Sequence, residues 1–282
     1  MHRRHLLLAA SAALVGASTG ARPPHQAATD PDDDEIEDPR KGAQEILWSV
    51  ETVLPVAALT FDDGPHPDLT PPILDVLDRY GVKATFMVMG HCAEQYPDIL
   101  REVVARGHEV GHHTWRHLHV TKTSSPTTRE EIEVGTQVVE DVAGVPVHLF
   151  RPPQGRLSEA VVRVVAKMDQ DVILWSVTRG RKRWQRPQQV AEHVVDETGT
   201  GDIIDLHDGI GRGTFEPASR TAAELMARRK VEVAALPRII EGIQAKGVRL
   251  GTVTDLRAVR RPKTTRPRAP VTPGASDDGR RS

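Results

Sequence analysis

Two carboxylates stand side by side in "ALTFDDGPHP", Ala58 to Pro67: Asp62 and Asp63 close an apolar run and are followed at once by glycine and proline. Like charges this close repel and raise one another's pKa. A tight turn is one reason for the pairing; a functional site is another. Imidazoles supply the complement. His113 and His117, in "GHEVGHHTWRH", have the spacing that places two rings on one helical face or turn, as zinc-binding pairs do, although most pairs so spaced bind nothing. Arg151 follows an apolar stretch in "FRPPQG", and His207 follows another in "LHDG". Taken alone, His207 reads sooner as a hydrogen-bonded core histidine than as a proton carrier.

The elements that must position these residues alternate along the chain. Strands are expected over residues 53–61, 82–90, 108–113, 147–152, 171–177, 201–207 and 248–253. Helices are expected over 70–81, 93–107, 125–144, 158–168, 186–197 and about 217–246, the first with Thr70 as N-cap, Pro71 in the first turn and Gly81 as the stop. Strands that each follow a helix, with no hairpin signals between them, predict an α/β fold: a distorted, partly open (β/α) barrel with about seven parallel strands. Sites of such barrels gather at the C-terminal strand ends. The "FDDG", "HHTWRH", "RPPQG" and "HDG" stretches all fall there.

With 282 residues and 38% hydrophobic content the chain can bury a sizeable core, and a net charge of −2 gives no global reason to expect nucleic acid or an anionic membrane as partner. The start, "MHRRHLLLAASAALVGASTGA", is expected to be a signal peptide over 1–21, with Arg3-Arg4 leaving twin-arginine export open beside the general route. An acidic, proline-rich linker (22–45), a folded domain (46–256) and a basic tail (257–282) are expected to follow. The single cysteine, Cys92, excludes an intramolecular disulfide and reads as a small core residue.

The order "TFDDG" (Thr60 to Gly64), "GHEVGHHTWRH" (Gly107 to His117), "FRPPQG" (Phe150 to Gly155) and "LHDG" (Leu206 to Gly209) resembles the polysaccharide deacetylases of the NodB-homology family, carbohydrate esterase family 4, over roughly Val53 to Leu256. The resemblance implies a divalent metal, zinc first and cobalt or nickel as alternatives, on Asp63, His113 and His117, with one position left for water. It implies Asp62 as general base, Arg151 orienting it, His207 as general acid and the backbone N–H of Gln154 at the oxyanion. Trp184 and Leu206 are expected beside the substrate. The partner would be an N-acetylated polysaccharide, peptidoglycan or chitin-like, acted on outside the cell by a monomer with no membrane span.

Three departures qualify the resemblance. Thr178 and Arg183, in "WSVTRGRKRW", stand where the family's fourth motif carries aspartates, one of which supports the catalytic histidine; Asp205 or Asp208 could substitute. Asp205 itself replaces a leucine that lines the acetyl pocket, and is expected to pair with Arg151 or a loop arginine. Gln154 replaces a common aromatic residue. The cations Arg179, Arg181, Lys182, Arg183 and Arg186 around Trp184 point to an anionic glycan over neutral chitin. Two other readings stay open: an O-acetyl esterase of xylan or another wall glycan, and a metal-holding wall-binding protein of weak activity. His112 and His108 are expected to be structural.

Overall fold

The architecture grows outward from one strand, β2 (Val56–Asp62), all seven of whose residues are buried in the computed structural model, which describes residues 45–180 and 186–261. Successive side chains of a strand face opposite ways. Ala57, Leu59 and Phe61 enter the core beneath the helices, whereas Val56 and Ala58 enter a second cluster with Met87, Leu149, Ile173 and Ile203. Thr60 and Asp62 continue that second face upward and meet Arg151.

Besides β2 the strands are β1 (Ile46–Leu47), β3 (Thr85–Val88), β4 (Glu109–His112), β5 (Leu149–Phe150), β6 (Asp171–Ile173), β7 (Val177–Thr178), β8 (Ile203–His207) and β9 (Arg249–Gly251). Every pairing among these strands is parallel, in the order β1-β6-β5-β4-β3-β2-β8-β7, with β9 also on β2. Only Leu174 to Ser176 separate β6 from β7, yet the two lie near opposite ends of that order. Four residue steps reach at most roughly 14 Å. The sheet must therefore curl until its ends nearly meet, which is the partly open barrel expected. The strand expected over 171–177 is in fact two strands broken at this crossing.

Helices α1 (Thr70–Tyr80), α2 (Gly90–Gln95), α3 (Pro97–Ala105), α4 (Ser125–Ala143), α5 (Glu159–Lys167), α6 (Pro187–Glu197), α7 (Arg220–Ala245) and α8 (Val253–Ala258) cover the sheet. Gly81 ends α1 at φ 62 as expected, but Leu69 is the N-cap; the Thr70 hydroxyl is spent elsewhere, on Asp208. The helix expected over 93–107 breaks at Tyr96, because Pro97 has no N–H to continue it. The last strand stops at Gly251, where Thr252 and Asp255 form a capping box that opens α8. Arg257, expected to begin the tail, lies in α8 and pairs with Asp171 at 2.7 Å, while Arg260 pairs with Glu45. All described residues belong to one compact unit. The expected signal peptide, all but the last residue of the linker, and the tail beyond Arg261 lie outside the described residues. Among the described residues no helix is long and apolar enough to cross a membrane.

Candidate active site

Asp63 is the first residue beyond β2 and sits at φ 77, in the left-handed region. Tight apposition of two loops holds it there. A side chain on Gly64 would strike the Asp208 carboxylate at 2.0 Å, and one on Gly209 would strike the Asp63 carbonyl at 2.0 Å. In the space these glycines leave, Asp208 accepts from the Gly64 N–H (3.0 Å) and the Thr70 hydroxyl (2.8 Å). Burial, opposed by Thr70, pushes the Asp208 carboxyl up to about 7. Its bonds are to the loops; His207 is held by another acid.

His113 and His117 occupy a turn and not a helix, with Thr114 and His117 left-handed (φ 64 and 57). Glu131 pins that turn. Its backbone carbonyl accepts from the Trp115 N–H at 2.9 Å, and its carboxylate accepts from the Arg116 N–H at 2.7 Å and the Arg116 guanidinium at 2.6 Å. The Arg151 carbonyl accepts from His113 Nδ1 at 2.7 Å, so Nε2 is left with the lone pair.

The donor atoms of Asp63, His113 and His117 lie within 4.8 Å of one another. Asp63 Oδ2 accepts from Arg229 at 3.1 Å, but among the described residues buried Oδ1 has no hydrogen-bond donor, although His117 Nε2 is only 3.3 Å away. Burial would raise the Asp63 carboxyl; His117, Arg229, His207 and His113 more than offset this and hold it well below the usual range. Burial also pulls His117 down to about 4, leaving a neutral imidazole near pH 7. An ionised oxygen without a donor, facing two imidazole nitrogens, is a donor set that fits a divalent cation, with Asp63 binding through one oxygen.

Beside it, fully buried Arg151 directs Nη1 to Asp62 Oδ1 at 2.6 Å and to the Thr60 hydroxyl at 2.7 Å. Its remaining N–H groups reach the Ile173 and Leu174 carbonyls. Asp205 Oδ1 is 3.5 Å from the same Nη1, close in charge but not hydrogen-bonded. Burial and then Asp62 push the Asp205 carboxyl up.

Across the cleft, His207 Nδ1 is 3.0 Å from Oε2 of Glu232, a buried residue of α7. Burial and Arg229 press the imidazolium down; Glu232 and Asp205 outweigh them, and the group reaches about 9. Glu232 and Asp205 thus favour the protonated form of His207. The period of two explains its company: Asp205 and His207 face the interior with Ile203, whereas Ile204 and Leu206 face the helices.

The profile of the polysaccharide deacetylases matches residues 50–173. A Bacillus cereus peptidoglycan-N-acetylglucosamine deacetylase is 33% identical over 213 residues, 75% of this chain and 92% of that one. An Azorhizobium caulinodans chitooligosaccharide deacetylase is 31% identical, covering 68% and 90%. The chain belongs to the polysaccharide deacetylase family. That membership makes it a hydrolase of the polysaccharide deacetylase type. Among solved structures, a peptidoglycan N-acetylglucosamine deacetylase superposes with a TM-score of 0.64 at 27% identity, over 76% of this chain and 94% of that one.

Set against the deacetylase pattern, Asp62, Asp63, His113, His117, Arg151 and His207 converge at the strand ends. Gln154, left-handed at φ 60, lies on the loop that follows Arg151. Leu206 does not join them: at 1% exposure it packs in the outer core, because it is one residue out of phase with His207. Trp184 and Arg183 lie outside the described residues. The Thr178 hydroxyl accepts from the Gly180 N–H at 3.0 Å and plays no part at His207. Arg179 turns inward, 3.0 Å from Glu232, so it is not among the cations facing substrate. Burial pushes the Cys92 thiol up to about 12, which suits the core role expected. His112 is fully buried near Thr136, and His108 accepts from the Ala84 N–H, both structural.

Sequence reasoning missed Glu232 and Arg229. A signal existed: they continue the buried stripe of Ala235, Leu236, Ile239, Ile240 and Ile243 along α7, where a solvated pair would face outward.

Proposed function

We propose that this deacetylase is exported and metal-dependent, and that it removes N-acetyl groups from a cell-wall or related polysaccharide, peptidoglycan or chitin-like, leaving free amine and acetate. The observation that carries the reading is the Asp63 oxygen without a donor, which faces His113 and His117 and is flanked by an Arg-held Asp62 and a Glu-held His207. Asp63, His113 and His117 would hold zinc, or cobalt or nickel, and the bound cation supplies Lewis-acid polarisation of the acyl oxygen and of water.

Asp62, fixed by Arg151, takes the proton of the attacking water. The backbone N–H of Gln154 is assigned to the developing oxyanion. His207, its Nδ1 turned to Glu232, presents Nε2 to the amide nitrogen and gives up its proton as the C–N bond breaks. Two relatives, a peptidoglycan-N-acetylglucosamine deacetylase and a chitooligosaccharide deacetylase, support the substrate class and a place at or outside the cell wall.

The test is acetate release by zinc-loaded protein from peptidoglycan, chitin oligomers and acetylxylan. Release from the first or second that chelator stops and zinc restores is the expected result. Release from acetylxylan alone would make the protein an O-acetyl esterase, and binding without release would make it a wall-binding protein.

A further inference from the structure

Where the family pattern calls for an acid, this chain has Thr178, whose hydroxyl is bound within its own turn, and beside it the cation Arg179. A positive neighbour makes a histidine a poorer holder of its proton. The acid comes from elsewhere. Glu232 lies between the two: Oε2 is 3.0 Å from His207 Nδ1, and Oε1 is 3.0 Å from both Arg229 Nη1 and Arg179 Nε, the latter without hydrogen-bond alignment. Arg229 is itself tied down, because its Nε donates to the Gly209 carbonyl (3.0 Å) and its Nη2 to Asp63 Oδ2 (3.1 Å). One turn of α7 therefore grips the loop after His207, the imidazole and the back of the candidate metal ligand together.

We propose that Glu232, aimed by Arg229, is the positioning residue of His207, and that a carboxylate on α7 has taken over from the acid missing at the end of β7. It fixes the tautomer with Nε2 toward the substrate and stabilises the imidazolium against the Arg229 guanidinium. The groups whose charges bear on His207 are Glu232 and Arg229 from α7, Asp205 from β8, Asp63 after β2 and His117 in the turn after β4, while Arg179, after β7, faces Glu232. This inference rests on His207 being the proton donor.

The leaving group separates the two claims. An amine leaves only when protonated, whereas the phenolate of 4-nitrophenyl acetate leaves unaided. In zinc-loaded protein, Glu232→Gln is expected to lower kcat on chitin oligomers by about 10²-fold with KM nearly unchanged, the low end of general-acid effects. Its alkaline limb should move to lower pH, since loss of the carboxylate removes what raises the imidazolium. Turnover of 4-nitrophenyl acetate should stay within a few-fold, and Glu232→Asp should recover part of the amide activity. His207 ring shifts in a nitrogen NMR titration, which need no turnover, should show a lower pKa in Glu232→Gln. An unchanged titration and alkaline limb, with His207→Ala still inactive on chitin oligomers, would overturn the role of Glu232. Equal losses on both substrates together with lost zinc would overturn it too, as the mark of a structural residue. If His207→Ala kept its amide turnover, the donor reading itself would fall, and this inference with it.

Discussion

The two sides of the cleft are built differently. Asp62, Asp63, His113, His117 and Arg151 lie at or just beyond the ends of β2, β4 and β5, in three short stretches inside the span that the family profile matches. The donor side begins with one residue at the end of β8 and is completed by Glu232 and Arg229, more than 20 residues further on in a long helix. Strand ends converge because parallel pairing forces them to. A helix reaches the same point only if its register on the sheet turns the right side chain inward, so the donor side can exchange its supporting acid while the metal side keeps its pattern.

The largest effect should come from testing the sides against each other. Asp62→Asn removes the proton acceptor needed for any acetyl group and is expected to slow both chitin oligomers and 4-nitrophenyl acetate by roughly 10²- to 10⁴-fold. His207→Ala should do so for the oligomers alone. Equal sensitivity of the two substrates to both variants, measured as kcat, would erase the distinction.

Arg151→Met sharpens the contrast through stability. It leaves the buried Asp62 and Asp205 carboxylates without their cation, and removing one partner of a buried pair costs about 3–5 kcal/mol. Urea unfolding should show that loss at pH 7. It should shrink toward acid pH, where Asp205, its carboxyl pushed up by burial, takes up its proton.

The smallest effect is expected at Asp205, whose carboxyl is pushed up by burial and by Asp62. A raised folded-state pKa destabilises above the unfolded value near 3.8 and increasingly as pH climbs toward the raised one. Asp205→Asn should therefore be stabilising at pH 7 by about 1 kcal/mol, less at pH 4, with acetate release retained. A loss of stability at pH 7 would mean that Arg151 needs both carboxylates.

How far the sequence could be read follows the same division. The apolar run into Asp62-Asp63 and the His113/His117 spacing marked the candidate metal side, and the strand–helix alternation placed the barrel, because both signals are local. Leu206 went astray through a phase of one residue, which only the pairing of β8 with β2 fixes. Thr70 looked like an N-cap until Asp208, 138 residues away, claimed its hydroxyl. Glu232 looked like one more charge in a helix rich in them. The apolar stripe of α7 marks the face that meets the sheet, but not which strand end Glu232 reaches.

The central claim is that Asp63, His113 and His117 hold one divalent cation on which deacetylation depends. Zinc titration into metal-free protein, with bound zinc and acetate release from chitin oligomers followed together, tests it directly. Activity should rise in proportion to bound zinc and level off at one ion per chain, and Asp63→Asn should neither retain the ion nor release acetate. Full acetate release from the metal-free protein, or from Asp63→Asn, would contradict the account.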